Sequence, residues 1–177
     1  MLKIGFKKIR QFYDDGLWTR EMVADAVVQG CITAEEAIEI IGSESAVEDL
    51  RAAKIQAMSK TCADVIIAGI DYDGKHYSMA VEDQLNMMSL LGSVQQGAES
   101  VPYHADGEEC RFYSAAEFMA IADLATRHKI YQESYFNSLR SYIESMTTME
   151  ELSAVTYGME IPLEYQTEVL RRLTPAV

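Results

Sequence analysis

The groups in this 177-residue chain that could do chemistry are three histidines, three cysteines and a large excess of carboxylates. Their spacing argues against most of that chemistry. His76, His104 and His128 stand apart, with no His-x-x-x-His pair to hold a metal on one helix face. Cys31, Cys62 and Cys110 are odd in number, widely separated and without a Cys-x-x-Cys, a pattern of neither a disulfide framework nor a zinc site. Small buried hydrophobes are the simpler reading, since free cysteine is among the most buried residue types. Asp71, Asp73 and Gly74 begin like a calcium loop, but such a loop needs further oxygen ligands before its closing glutamate, and Lys75, His76 and Tyr77 intervene. Glu35, Glu36 and Glu39, like Glu150 and Glu151, fall at helix starts, where carboxylates favour the positive end of the dipole without any acid/base role. No Gly-x-Ser-x-Gly, phosphate-cradling glycine loop or dinucleotide fingerprint is present. The expectation is a chain that is not an enzyme, with no catalytic residue, no cofactor and no metal.

The aromatic and methionine residues suit a different task. Tyr131, Tyr135 and Tyr142, with Met87 and Met88, exceed what one thin core needs, and both residue types are enriched in the centres of protein interfaces. Tyr13, Trp18, Tyr131, Tyr135 and Tyr142 are therefore the candidate partner-binding residues. The competing reading is that they pack within their own chain, with Trp18 as the plug of a small core.

Charge narrows the partners. Fifteen basic against 28 acidic side chains give a formal charge of −13, which repels a nucleic-acid backbone. The basic cluster Lys3, Lys7, Lys8 and Arg10 is too short to offset it. Met1–Tyr13 has no apolar run of signal-peptide length. Ala63–Ile70, interrupted by Asp64, falls far short of the roughly 20 residues of a membrane span. Neither nucleic acid nor membrane is expected as a partner.

The elements that would position these residues are organised around Ser114–Met146, which reads as one helix of about 33 residues, roughly 50 Å long. Ser114-Ala115-Ala116-Glu117 is a capping box at its start. Phe118, Ile121, Ala125, His128, Gln132, Tyr135, Leu139, Tyr142 and Met146 recur every three or four residues as its buried seam. On that seam His128 reads as a histidine with one hydrogen-bonded nitrogen. Before it, residues 1–42 read as three short helices: Lys3–Asp14, one from Thr19 to Gln29 with Gly30 as terminator, and one opened by the box Thr33-Ala34-Glu35-Glu36 and ended by Gly42. Ser43-Glu44-Ser45 reads as a joint, after which Ser45-Ala46-Val47-Glu48 opens a helix to Ala68 that pairs with the rod.

Two Asp-Gly hairpins are expected, one over Ile70–Ser78 and one over Val101–Tyr113 around Asp106-Gly107, forming a small sheet edge to edge on the rod. A helix over Met79–Leu91 separates them. A fourth box, Thr148-Met149-Glu150-Glu151, opens a helix to Tyr157, and Gly158 ends it. Leu163–Leu173 reads as a last short helix, and Thr174–Val177 as a fraying end.

Tyr13-Asp14-Asp15-Gly16-Leu17-Trp18-Thr19-Arg20-Glu21-Met22-Val23, followed by Ala26-Val27, Gly30, Ile32-Thr33-Ala34-Glu35-Glu36 and Ile40-Ile41-Gly42, resembles the small XkdX-like proteins of Gram-positive phages and prophages. That family is encoded among tail genes and brings no enzymatic activity. Tyr72-Asp73-Gly74-Lys75-His76-Tyr77, Asp83-Gln84-Leu85-Asn86 and the second hairpin leading into Tyr113-Ser114-Ala115-Ala116-Glu117 are similar to a domain of unknown function found at the C-terminal ends of phage tail-fibre and baseplate proteins. It would span about Leu50–Leu152. Members often carry a tryptophan in the second hairpin; here Tyr103 or Phe112 takes its place.

These readings combine into an α+β, mostly α protein: a three-helix module over residues 1–43 and a helical domain with a long helix and two hairpins over residues 44–177. The resemblances imply a structural component of a phage or prophage tail, in baseplate or tail fibre. It would be assembled in the host bacterial cytoplasm and retained in the virion tail. Its partners would be other tail or fibre proteins, with self-association left open. The alternative is a tail-fibre assembly chaperone absent from the mature particle.

Overall fold

The computed structural model describes residues 4–173, and its fold is α+β, mostly α, with 66% helix. The chain runs α1 (Phe6–Asp14), α2 (Arg20–Val28), α3 (Ala34–Ile41), α4 (Ser43–Ala68), β1 (Ile70–Tyr72), β2 (Lys75–Tyr77), α5 (Val81–Gln95), β3 (Ser100–Tyr103), β4 (Arg111–Ser114), α6 (Ala115–Ser145), α7 (Met149–Ala154), a 3-10 turn (Leu163–Tyr165) and α8 (Glu168–Leu173). Lys3 and Thr174–Val177, for which a helix start and fraying were expected, lie outside the described residues. Two compact units divide the chain. The first holds the described residues up to Thr61 with Phe136–Glu168, and the second Cys62–Tyr135 with the described residues from Val169. The division falls within α4, within α6 and after the first residue of α8.

In the first unit the caps follow the sequence. Thr19 Oγ1 accepts the Met22 N–H at 3.4 Å, and Thr33 and Glu36 satisfy each other's backbone N–H groups at 3.2 and 2.8 Å. Gly42 does two jobs. Its φ of +84° ends α3, and its carbonyl accepts the Ala46 N–H at 3.0 Å, so α4 begins at Ser43. The expected joint and the box at Ser45 are thus absorbed into the helix. Thr148 and Glu151 form the predicted box of α7, which packs on α3. Leu50, Leu139, Ile143 and Leu152 are fully buried. The seam of α6 passes through Ile143, with Tyr142 half-buried against Tyr165 at 5.0 Å between ring centres. Lys54 is buried and donates from Nζ to the carbonyls of Ser153 and Val155 at 3.2 and 3.1 Å. The expected helix over Leu163–Leu173 is broken instead at Gln166-Thr167, because the Thr167 N–H is drawn to Ser138 Oγ at 2.9 Å.

In the second unit α4 and α6 are joined by polar contacts: Cys62 Sγ to the Gln132 carbonyl at 3.4 Å and His128 Nε2 to the Val65 carbonyl at 3.1 Å. The core gathers Tyr77, Met79, Met87, Val101, Tyr103 and Tyr113 on Phe118, Ile121, Ala122 and Ala125, so both hairpins and α5 pack on the first half of the rod. The hairpins are two separate antiparallel pairs, not one sheet edge to edge. In the first, Ile70 faces Tyr77 and Tyr72 faces Lys75. Asp73 and Gly74 both have positive φ, 50° and 72°, as a two-residue type I′ turn requires. The second pairs Val101 with Tyr113 and Tyr103 with Arg111, leaving residues 104–110 as a loop. Asp106-Gly107 sits inside that loop and is not the turn between paired strands.

Candidate functional site

The chemistry-bearing side chains of the second unit collect where the loop over residues 104–110 meets β2 and α5. The backbone supplies the frame. The Asp106 N–H donates to the His76 carbonyl at 2.9 Å, and Asp106 Oδ1 accepts the Ser78 N–H at 3.1 Å. Lys75 and Glu108 add an ion pair between the same two segments. His76 Nδ1 lies 2.7 Å from Asp71 Oδ1, with Asp106 Oδ2 4.0 Å from Nε2. The Asp71 contact, with Asp106 beyond it, raises the affinity of this imidazole for its proton.

Beneath the loop three tyrosines stack. Tyr77 and Tyr103 lie parallel with ring centres 6.1 Å apart, and Tyr103 meets Tyr113 and Phe118 edge-on at 6.2 and 5.3 Å. The Tyr77 and Tyr113 hydroxyls are 3.3 Å apart. Burial, and then that contact, drive the Tyr77 phenol well above its ordinary range. Burial first, and next the carboxylates of Asp83 and Asp106, push Tyr103 up to about 12.

Between this stack and α5 opens a cleft of about 250 Å³, lined by Tyr103, Asp83, Asn86, Leu90, Pro102 and Asp106 among others. On a different stripe of α5, Val81, Leu85 and Met88 are 62%, 61% and 70% exposed, three apolar side chains at i, i+4 and i+7. Phe112, cross-strand from Pro102, is 72% exposed. Of Tyr103 and Phe112, the two residues that could stand for the tryptophan of the second hairpin, Tyr103 is the one in the core, beside Tyr113.

The five aromatic candidates do not converge. Trp18 is half-buried on Phe12, 6.0 Å between ring centres, with Tyr13 half-buried on the same module. Tyr131 lies at the surface, stacked at 6.5 Å on Tyr135, which is itself buried. Tyr142 faces Tyr165 in the first unit. Of the methionine pair, Met87 is core and Met88 is outside. Of the α5 stripe the sequence reading singles out Met88 alone for an interface, names Leu85 only within a family motif, and marks neither Val81 nor the cleft. The three-four spacing of Val81, Leu85 and Met88 was a readable signal, whereas the cleft is assembled from segments far apart along the chain. No helix among the described residues is long and apolar enough to cross a membrane.

Comparison with known proteins gives two family matches in succession. Residues 6–44 match a family described as "Phage uncharacterised protein (Phage_XkdX)", and residues 49–156, more than half of the chain, match "Domain of unknown function (DUF4376)". No curated protein and no solved structure matches the chain.

Proposed function

The chain belongs to the family of that domain of unknown function, DUF4376, and from this premise, with a phage family at its N-terminus, we propose that it is a non-enzymatic structural component of a bacteriophage or prophage tail. It acts through protein–protein contacts at the baseplate or tail fibre. The N-terminal match makes the protein phage-associated; the position in the tail is the step beyond.

The observation that carries contact as the mode of action is the α5 stripe. Val81, Leu85 and Met88 stand largely in solvent on a helix whose other side is anchored by Met87. Burying three such side chains against a partner removes apolar surface from water at roughly 25 cal/mol per Å². A chain with a formal charge of −13 can hold such a stripe exposed and stay dispersed until the partner arrives. That same property suits an assembly chaperone, the second reading.

The test is an in-frame deletion in the phage, with particles viewed by negative-stain electron microscopy. Loss of baseplate or fibre density, restored by the parent gene but not by Leu85→Glu/Met88→Glu, is the expected outcome. Complete, infectious particles from the deletion would end the proposal. Defective tails in a phage whose wild-type particles lack the protein would favour the chaperone.

A further inference from the structure

We propose that the cleft between the loop over residues 104–110 and α5 receives an arginine side chain from the partner protein. The inference deepens the contact role above and rests on it. Its lining is rich in acceptors: the carboxylates of Asp83 and Asp106, the amide carbonyl of Asn86 and the phenol oxygen of Tyr103. Asp83 is only half-exposed and has no ion-pair partner among the described residues. Tyr103 is 8% exposed, lines the cleft, and its hydroxyl makes no hydrogen bond among the described residues. Its ring is buried while the hydroxyl oxygen stays open to solvent, Arg51 Nε being the buried side-chain polar atom without a partner among the described residues, so the phenol oxygen is free to accept from a group that enters the cleft.

The ligand these groups fit carries several N–H donors, a positive charge and a flat shape. A guanidinium has five donors, no acceptor and a plane that lies against aromatic and apolar walls. Leu90, Pro102 and the Tyr103 ring supply such walls. A cleft of about 250 Å³ falls below the roughly 300–1,000 Å³ of sites for larger ligands and suits one side chain. Charge selects the occupant's source: a second copy of this chain brings another −13, so a basic segment of a different protein is the complementary surface. Phe112, exposed beside Pro102, gives that segment an apolar neighbour.

The test is a two-dimensional NMR titration of the intact protein with acetyl-Gly-Arg-Gly-amide and, in parallel, the citrulline peptide, which keeps the shape and loses the charge. Saturable shifts at the start of α5 and at residues 103–106, with the arginine peptide only, are expected. Asp83→Asn weakens binding about tenfold and Tyr103→Phe about fivefold, with unchanged thermal midpoints. Flat titrations, equal binding of both peptides, or full affinity in the well-folded Asp83→Asn variant would overturn the assignment. Flat titrations of a protein that is abundant in particles remove the cleft's role and leave the tail role. Arginine binding by a protein absent from particles does the reverse.

Discussion

The Asp106 backbone N–H donates to the His76 carbonyl across 2.9 Å, and this bond ties the loop of the second hairpin to the rim of the first. The same residue's carboxylate accepts the Ser78 N–H, so one aspartate holds two points of β2 and its exit. Asp106→Ala keeps the first bond and loses the second. It is expected to destabilise the chain by about 1 kcal/mol in urea unfolding. An unchanged midpoint would show that the loop is not held there.

His76 makes that junction sensitive to pH. Its proton is favoured by Asp71 first, so its pKa in the folded chain lies above the ordinary 6.5. The stability it contributes is complete below pH 6.5 and is lost as pH rises through the raised folded value. The melting-temperature gap between the parent and His76→Gln should therefore be larger at pH 5.5 than at pH 8.5. A gap that is constant or grows with pH contradicts this.

Gly69 should be intolerant in a way Gly107 is not. Both have positive φ, +91° and +74°, but a Cβ at Gly69 would meet the Tyr77 carbonyl oxygen at 2.1 Å, and one at Gly107 meets nothing within 4 Å. Gly107→Ala is expected to cost about 1–2 kcal/mol from backbone conformation alone. Gly69→Ala adds a backbone collision and should cost at least about 2 kcal/mol more, measured by chemical denaturation. Equal costs would mean that the approach of residue 69 to β2 is looser than described.

Lys54 is buried with carbonyl oxygens as its hydrogen-bond acceptors, and burial lowers its pKa below the unfolded 10.5. Between the two values the unfolded chain keeps a proton that the folded chain has released. Stability relative to Lys54→Met should accordingly rise with pH as the solution approaches 10.5. Lys54→Met itself should be tolerated within about 1–2 kcal/mol at neutral pH, since it removes a buried charge while keeping most of the packing volume. A loss above about 4 kcal/mol would show that the two carbonyls depend on the ammonium.

Local rules explain which parts of this fold could be read from the chain. Asp73-Gly74 forms a type I′ turn because both residues accept positive φ and the flanking strands pair immediately. Asp106-Gly107 carries the same dipeptide, yet its backbone partners are His76 and, through its side chain, Ser78, which no local pattern encodes. The Thr33 and Thr148 boxes are likewise local and readable. The break at Thr167 depends on Ser138, and the helix start at Ser43 on the carbonyl of Gly42. The candidate site divides in the same way: the α5 stripe is written at helical spacing, whereas Asp83, Tyr103 and Asp106 share a cleft only once α5 and the second hairpin are folded on Phe118.

The central claim, a structural part of the tail, is tested most directly by quantitative mass spectrometry of gradient-purified phage particles. A fixed copy number per particle, in constant ratio to baseplate or fibre proteins across preparations, is the predicted result. Absence from infectious particles, with abundance in the lysate, would contradict it.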